Sequence, residues 1–178
     1  MTILNNPKKA AILSGIALLI MTFAAMFSYG YAHTQLFSEV ISFTTLKNLE
    51  NTPLLAYEIL GWFIIILMDL VVSWGFYTYL KPVHSRLAKL TGILRFIYTG
   101  FLFVATLQLL GIHKLVQATV TEEMIPLVSK NLGQFNLIWQ IGLILFGFHL
   151  IATGLTTFYS KAIPKIYLIL LIAAGVGY

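Results

Sequence analysis

Asp69 and Arg95 are charged residues set inside long apolar runs, where only a partner or a purpose would keep them. Asp69 falls within Ile64-Ile65-Ile66-Leu67-Met68-Asp69-Leu70-Val71-Val72, about 18 Å of helix rise from Lys81. Arg95 lies about 9 Å of rise inward from Lys89, and its long side chain reaches further. A charge carried into hydrocarbon costs about 2.5–3.5 kcal/mol on insertion scales. His149, in Phe146-Gly147-Phe148-His149-Leu150, lies at comparable depth, about 15 Å of rise from Tyr159. Asp69, Arg95 and His149 form the candidate intramembrane polar cluster, with an Asp69–Arg95 ion pair at its centre.

The helical repeat extends this set. Glu58 and Asp69 fall within about 20° of each other around a 3.6-residue helix, and Trp62, Ser73 and Tyr77 lie near the same stripe. Thr91, Arg95 and Tyr98 follow i, i+4 and i+7, as His149, Thr153 and Thr156 do on a later segment. Glu58, Ser73, Tyr77 and Tyr98 are therefore secondary candidates. Two chemistries compete for such an interior. A buried Asp–Arg pair neutralises its own charges and fixes helix register. The same groups around a wet cavity would line a path for protons or a small solute.

Catalysis and metal binding draw little from these residues. Glu58 and Asp69 are about 16 Å apart along the axis, too far to act on one bond. No Ser-His-Asp pattern, Gly-rich phosphate loop or His-Glu-x-x-His helix is present. A haem clamp at His149 normally needs a second axial ligand. His33 and His113 stand at outer helix ends near Glu39, Glu122 and Glu123, but their spacing matches no zinc-ligand pattern, so they read as solvated loop histidines. His84, in an inner turn, reads the same way. No catalytic residue, metal ligand or cofactor is assigned, and the chain leans away from being an enzyme.

Composition dictates what must position these residues. The chain is 59% hydrophobic and 10% charged, with a mean hydropathy of +0.90. A soluble core of this size cannot hide so many apolar side chains, so the surplus faces lipid. There is no cysteine, which removes disulfides and thiolate metal sites. The net charge of +5 does not indicate nucleic acid, because the basic residues are scattered between apolar segments rather than forming a stripe.

Four segments are long enough to cross about 30 Å of hydrocarbon at 1.5 Å per residue, namely 10–32, 54–80, 88–112 and 135–159. A fifth, 164–178, reaches only about 23 Å and reads as truncated. The expected fold is thus an all-α integral membrane helix bundle, one transmembrane domain with four full helices and a short fifth. Lys81-Pro82 and Ser160 to Pro164 close short joints, so the helices on either side should be antiparallel neighbours.

With the N-terminus inside, the inner side receives Lys8, Lys9, Lys81, Arg86, Lys89, Lys161 and Lys165, against Lys47, Lys114 and Lys130 outside. No Asp or Glu falls in an inner loop, which is the positive-inside bias. Segment 10–32 exceeds the 7–15 apolar residues of a signal-peptide core, so it is read as a retained span. In the outer loops, 33–53 and 113–134, Leu36, Phe37, Val40 and Ile41 repeat as a surface helix would, and Met124, Ile125, Leu127 and Val128 do so more weakly around Pro126, but both stretches read better as caps packed over the bundle. Gly147 and Gly154 share a face that would let a neighbouring helix approach closely. Trp62 and Trp139 lie towards the outer half, where amphipathic rings mark the interface.

The stretches Leu67 to Tyr77, Lys81-Pro82-Val83-His84 and Leu94 to Thr99 resemble the bacterial membrane family known as domain of unknown function 4386. So do Trp139 to Leu150, Ser160-Lys161-Ala162-Ile163-Pro164 and Ala173 to Tyr178, the last two being the most specific. The resemblance covers nearly the whole chain and includes Asp69, Arg95 and His149. It implies a small multi-pass protein of the bacterial cytoplasmic membrane, with no activity or cofactor to carry over. It also implies a further hydrophobic helix after Gly177-Tyr178, whose place lipid or a second copy of the chain would take; the expected partners are the lipid bilayer and either a second copy or another membrane protein. The leading functional expectation is a non-enzymatic accessory or structural role. The alternatives are a transporter or channel using Asp69, Arg95 and His149, and a haem- or quinone-binding protein resting on His149 and its aromatic neighbours.

Overall fold

The computed structural model describes residues 6–37, 40–161 and 163–178. It is all-α, with no strand among the described residues. The first span starts at α1 (Pro7–Ala25), where Asn6 Oδ1 accepts from the backbone N–H groups of Lys8 and Lys9 and Pro7 has no N–H that would need an acceptor. The helix then widens into a π-helical stretch, Met26–His33, and closes with one further turn, α2 (Thr34–Phe37). It therefore continues past Ala32, where the apolar run ends. The Thr34 hydroxyl helps by bonding back to the Gly30 and Tyr31 carbonyls.

Helix α3 (Phe43–Asn51) opens with a capping box, in which Ser42 Oγ accepts from the Thr45 N–H and Thr45 Oγ1 accepts from the Ser42 N–H. The surface helix expected across Leu36 to Ile41 does not form as one piece, since Leu36 and Phe37 end α2 while Val40 and Ile41 are not helical. Glu39 and Ala162 lie outside the described residues.

Helix α4 (Leu54–Leu80) runs over the expected 54–80. Helix α5 (Ser85–Val116) is longer at both ends than 88–112. Helix α6 (Ile125–Phe158) begins well before Phe135, entered by a 3-10 turn at Glu122–Met124. Much of the expected outer loop is therefore helix. Its residues, Ile125 to Gln134, mix apolar and polar types and escape a hydropathy reading, while Pro126 sits in the first turn where its missing donor costs nothing. Helix α7 is Ile166–Val176.

Among the described residues, four helical stretches are long and apolar enough to cross a membrane: Pro7–Phe37, Leu54–Leu80, Ser85–Val116 and Glu122–Phe158. The distribution of side chains is inverted relative to a water-soluble fold. Phe23 (70%), Leu19 (64%) and Phe96 (63%) are exposed, while Asp69, Glu58 and His149 are each 0% exposed. Lipid satisfies the first group and only the protein can satisfy the second. This is a multi-pass membrane protein.

The chain folds as two compact units, each built from a length of all four spans. The first comprises Met1–Leu19, Leu67–Phe101 and Gln140–Tyr178. Its helices meet through small residues. Ser14 packs onto Gly75, where any Cβ would overlap the Ser14 hydroxyl. Helix α7 lies on α6 at Gly147 and Gly154, so those two glycines do admit a close neighbour. The second unit comprises Ile20–Ile66 and Leu102–Trp139. There Ser28 packs onto Gly61 in the same manner, and Gly111 faces Asn131.

Candidate functional site

In the first unit, α4 contributes Asp69, α5 contributes Arg95 and Thr99, and α6 contributes His149. Arg95 Nε donates to Asp69 Oδ1 at 2.8 Å. Arg95 Nη2 lies 2.5 Å from the same oxygen but off the line of its N–H, so it adds charge rather than an aligned hydrogen bond. Thr99 Oγ1 donates to the other carboxylate oxygen, Oδ2, at 2.5 Å. Thr99 also sits 2.9 Å from the Arg95 carbonyl, but its single proton goes to the stronger acceptor, the carboxylate.

His149 completes the network. Its Nδ1 is 3.0 Å from the Thr91 carbonyl, which can only accept, so Nδ1 carries the proton. The bare Nε2 then accepts from Arg95 Nη1 at 3.2 Å. The imidazole is neutral, and the cluster holds one negative and one positive charge. The guanidinium lies 5.6 Å from the Phe76 ring centroid and 5.3 Å from that of Phe146. The same two rings flank His149, Phe76 stacked at 5.9 Å and 12° and Phe146 tilted at 5.5 Å and 31°.

The structure thus brings Asp69, Arg95 and His149 together, and burial is complete or nearly so, with Arg95 2% exposed. Around them, Ser73 Oγ donates to the Gly92 carbonyl at 2.9 Å and ties α4 to α5. Thr153 and Thr156 return their hydroxyls to the carbonyls four residues back. Thr91 Oγ1 is buried without a hydrogen-bond partner. Tyr98 packs on Phe146 at 5.0 Å, and Tyr77 is half-buried beneath the Lys81 ammonium. A pocket of about 350 Å³, lined by Phe76, Tyr79, Thr153, Thr157, Pro164 and Tyr167 among others, shares Phe76 and Thr153 with the surroundings of His149.

Glu58 belongs to the second unit and has partners of its own. His33 Nδ1 lies 2.7 Å from Glu58 Oε1, and Trp62 Nε1 donates to the same oxygen at 3.2 Å. Glu58 Oε2 is buried without a hydrogen-bond partner. The expectation of a solvated loop His33 is therefore corrected. The helix continues beyond it, and the ring is buried between Tyr29, Phe37 and Phe135, at 5.3, 5.0 and 5.3 Å. Trp62 is not an interfacial ring but a buried one, packed against Phe135 and Trp139. His113 is not a solvated loop residue either, because α5 runs on to Val116 and leaves it half-buried in the last turn, paired with Gln117, while His84 accepts from the Leu87 N–H.

Sequence reasoning missed Thr99, Phe76 and Phe146 in the first cluster, although the helical repeat held a signal for each. Thr99 is one turn beyond Arg95, Phe76 two turns beyond Asp69, and Phe146 one turn before His149.

Residues 13–178 match the family described as Domain of unknown function (DUF4386). The chain belongs to the DUF4386 family. An uncharacterised protein of Archaeoglobus fulgidus is 30% identical over 139 residues, which covers 78% of this chain and 72% of that relative. The likeness therefore reaches an archaeal protein. No solved structure matches. Both buried clusters of this DUF4386 chain fall inside the matched residues.

Proposed function

We propose that this chain is a non-enzymatic accessory or structural protein of the cytoplasmic membrane, in which Asp69, Arg95, Thr99 and His149 lock three spans together. One observation carries this reading: the charged groups are paired with each other and with neutral partners on α4, α5 and α6, and are buried, Asp69 fully and Arg95 to 2% exposure. A buried pair of this kind costs desolvation and gains register. The excess of Lys8, Lys9, Lys81, Arg86, Lys89, Lys161 and Lys165 at one set of helix ends supports an N-terminus on the cytoplasmic side.

The test is a double-mutant cycle on Asp69→Asn and Arg95→Gln, read as thermal stability in mild detergent. Each single change leaves an uncompensated buried group and should cost about 3–5 kcal/mol, with the double variant recovering much of that loss. An Asp69→Asn protein as stable as the wild type would sink the lock. An accessory role further requires a membrane-protein partner that co-purifies, and repeated recovery of the chain alone weighs against it.

One observation favours a second reading, a path for protons or a small solute. The pocket of about 350 Å³ is walled from His149 by Phe76. In that reading Phe76 is the barrier, and a cysteine placed at Thr91 would react with a soluble thiol reagent. A Thr91→Cys protein that stays unlabelled, with or without Phe76→Ala, removes the path. Both His149 nitrogens are engaged by Arg95 and Thr91, which leaves no ring nitrogen open to a haem iron.

A further inference from the structure

Two grooves meet at the basic end of the first unit. One, of about 490 Å³, runs between α4 and α5 and is lined by Leu70, Ser73, Trp74, Tyr77, Ile93 and Phe96, with Gly92 on its floor and Lys89 at its end. The other, of about 450 Å³, is lined by Pro7, Tyr77, Thr78, Lys81, Pro82 and Ser85. Tyr77 is common to both, and the Lys81 ammonium stands over its ring at 5.4 Å.

The chemistry changes along this surface. From Tyr77 to Leu70 on α4, and from Lys89 to Phe96 on α5, the groove descends about 10 Å into the spans. Leu70 (38%), Ile93 (46%) and Phe96 (63%) leave it open to the membrane. The Ser73 hydroxyl is already committed to the Gly92 carbonyl, so the floor makes little polar demand. At the mouth, Lys81 and Lys89 are exposed, and no acidic residue lies in the joint between α4 and α5. Neither Lys81 nor Lys89 makes an ion pair among the described residues. An apolar groove below unpaired ammonium groups is complementary to one kind of molecule, a hydrocarbon chain ending in a phosphate.

We propose that this surface is a binding site for an anionic phospholipid, with its phosphate held by Lys81 and Lys89 and one hydrocarbon chain laid along the groove. Tyr77 positions the Lys81 ammonium at the junction of the two. Gly92 keeps the floor low, since a Cβ there would already meet Tyr77 Cβ at 3.3 Å. The site requires that the chain sit in a membrane, but not that its N-terminus be cytoplasmic. Labelling that reversed the orientation would move the lipid to the other leaflet and leave the site intact.

The experiment is native mass spectrometry of the purified full chain in mild detergent, titrated with phosphatidylglycerol, phosphatidylcholine or soluble glycerol phosphate. Phosphatidylglycerol should bind and raise the melting temperature, while the other two should do neither. Lys81→Gln and Lys89→Gln should each weaken phosphatidylglycerol about fivefold. Lys130→Gln, in the second unit, should leave it unchanged. Ile93→Trp fills the groove from an exposed position and should weaken the lipid with both lysines intact. Equal binding of phosphatidylcholine would overturn the proposal, as would undiminished binding by the double lysine variant. Equal stabilisation by glycerol phosphate would also overturn it, because the groove would then contribute nothing.

Discussion

His149 presents its bare Nε2 to Nη1 of Arg95 at 3.2 Å while its Nδ1–H meets the Thr91 carbonyl at 3.0 Å. A histidine that accepts from a guanidinium is a neutral one, held as the Nδ1–H tautomer. Nitrogen NMR of histidine-labelled protein in detergent should therefore show one ring with Nδ1 protonated and Nε2 bare, and this signal should vanish in His149→Phe. Finding that ring as the Nε2–H tautomer or as imidazolium would contradict the arrangement. His149→Phe keeps the flat ring between Phe76 and Phe146 but strands two polar groups. It should cost about 1–3 kcal/mol in thermal stability.

Thr99 tests whether the carboxylate needs its second oxygen satisfied. Its hydroxyl supplies Asp69 Oδ2 with a hydrogen bond at 2.5 Å. Thr99→Val keeps the shape and removes the donor, so it should destabilise by about 1.5–3 kcal/mol, the range for hydrogen bonds to charged groups. Thr99→Ser keeps the donor and should lose much less. Equal losses for the two variants would mean that packing, not the hydroxyl, matters there.

The contrast between Asp69 and Glu58 explains how far the sequence could be read. Asp69 lies deep in an unbroken apolar run, so burial and the need for a cation followed at once, and Arg95 was the cation within reach across a short joint. His149 was visible for the same reason. Glu58 has a partner, His33, that lies just past the last apolar residue of the first span, where hydropathy alone reads a loop. Only the continuation of the helix through Thr34–Phe37 buries that imidazole. The start of α6 was hidden likewise, because Lys130, Asn131 and Gln134 dilute the apolar signal. Thr99, Phe76 and Phe146 were hidden by type, since a threonine or phenylalanine in a span draws no notice until its neighbour is known.

His33 and Glu58 should behave as a coupled pair. His33→Phe leaves Glu58 with the Trp62 N–H as its remaining donor and should cost about 3–5 kcal/mol, in the range for breaking a buried pair. Glu58→Leu with His33→Phe replaces both groups by apolar ones and should recover most of that loss. Melting of His33→Phe, Glu58→Leu and the double variant beside the wild type decides the matter. If the single and double losses simply add, the 2.7 Å contact contributes no coupling and the aromatic packing around it holds this end.

Gly147 and Gly175 set the separation of α6 and α7. A Cβ on Gly147 would come 2.6 Å from the Gly175 carbonyl oxygen, and a Cβ on Gly175 would come 2.6 Å from that of Gly147. Both obstacles are backbone, which cannot rotate away as the Ser14 hydroxyl can from Gly75. Gly147→Ala and Gly175→Ala should therefore each push α7 outward and cost about 1–3 kcal/mol, as overpacking does. Gly100→Ala, where a Cβ meets nothing within 4 Å, should be neutral or slightly stabilising, since alanine is the better helix former. Limited proteolysis in detergent gives the local readout. Faster cleavage in the joint at 159–165 for Gly147→Ala and Gly175→Ala, but not for Gly100→Ala, would show that α7 is held by this contact. Unchanged cleavage in all three would mean that Gly154 and the side chains of α7 hold the helix without it.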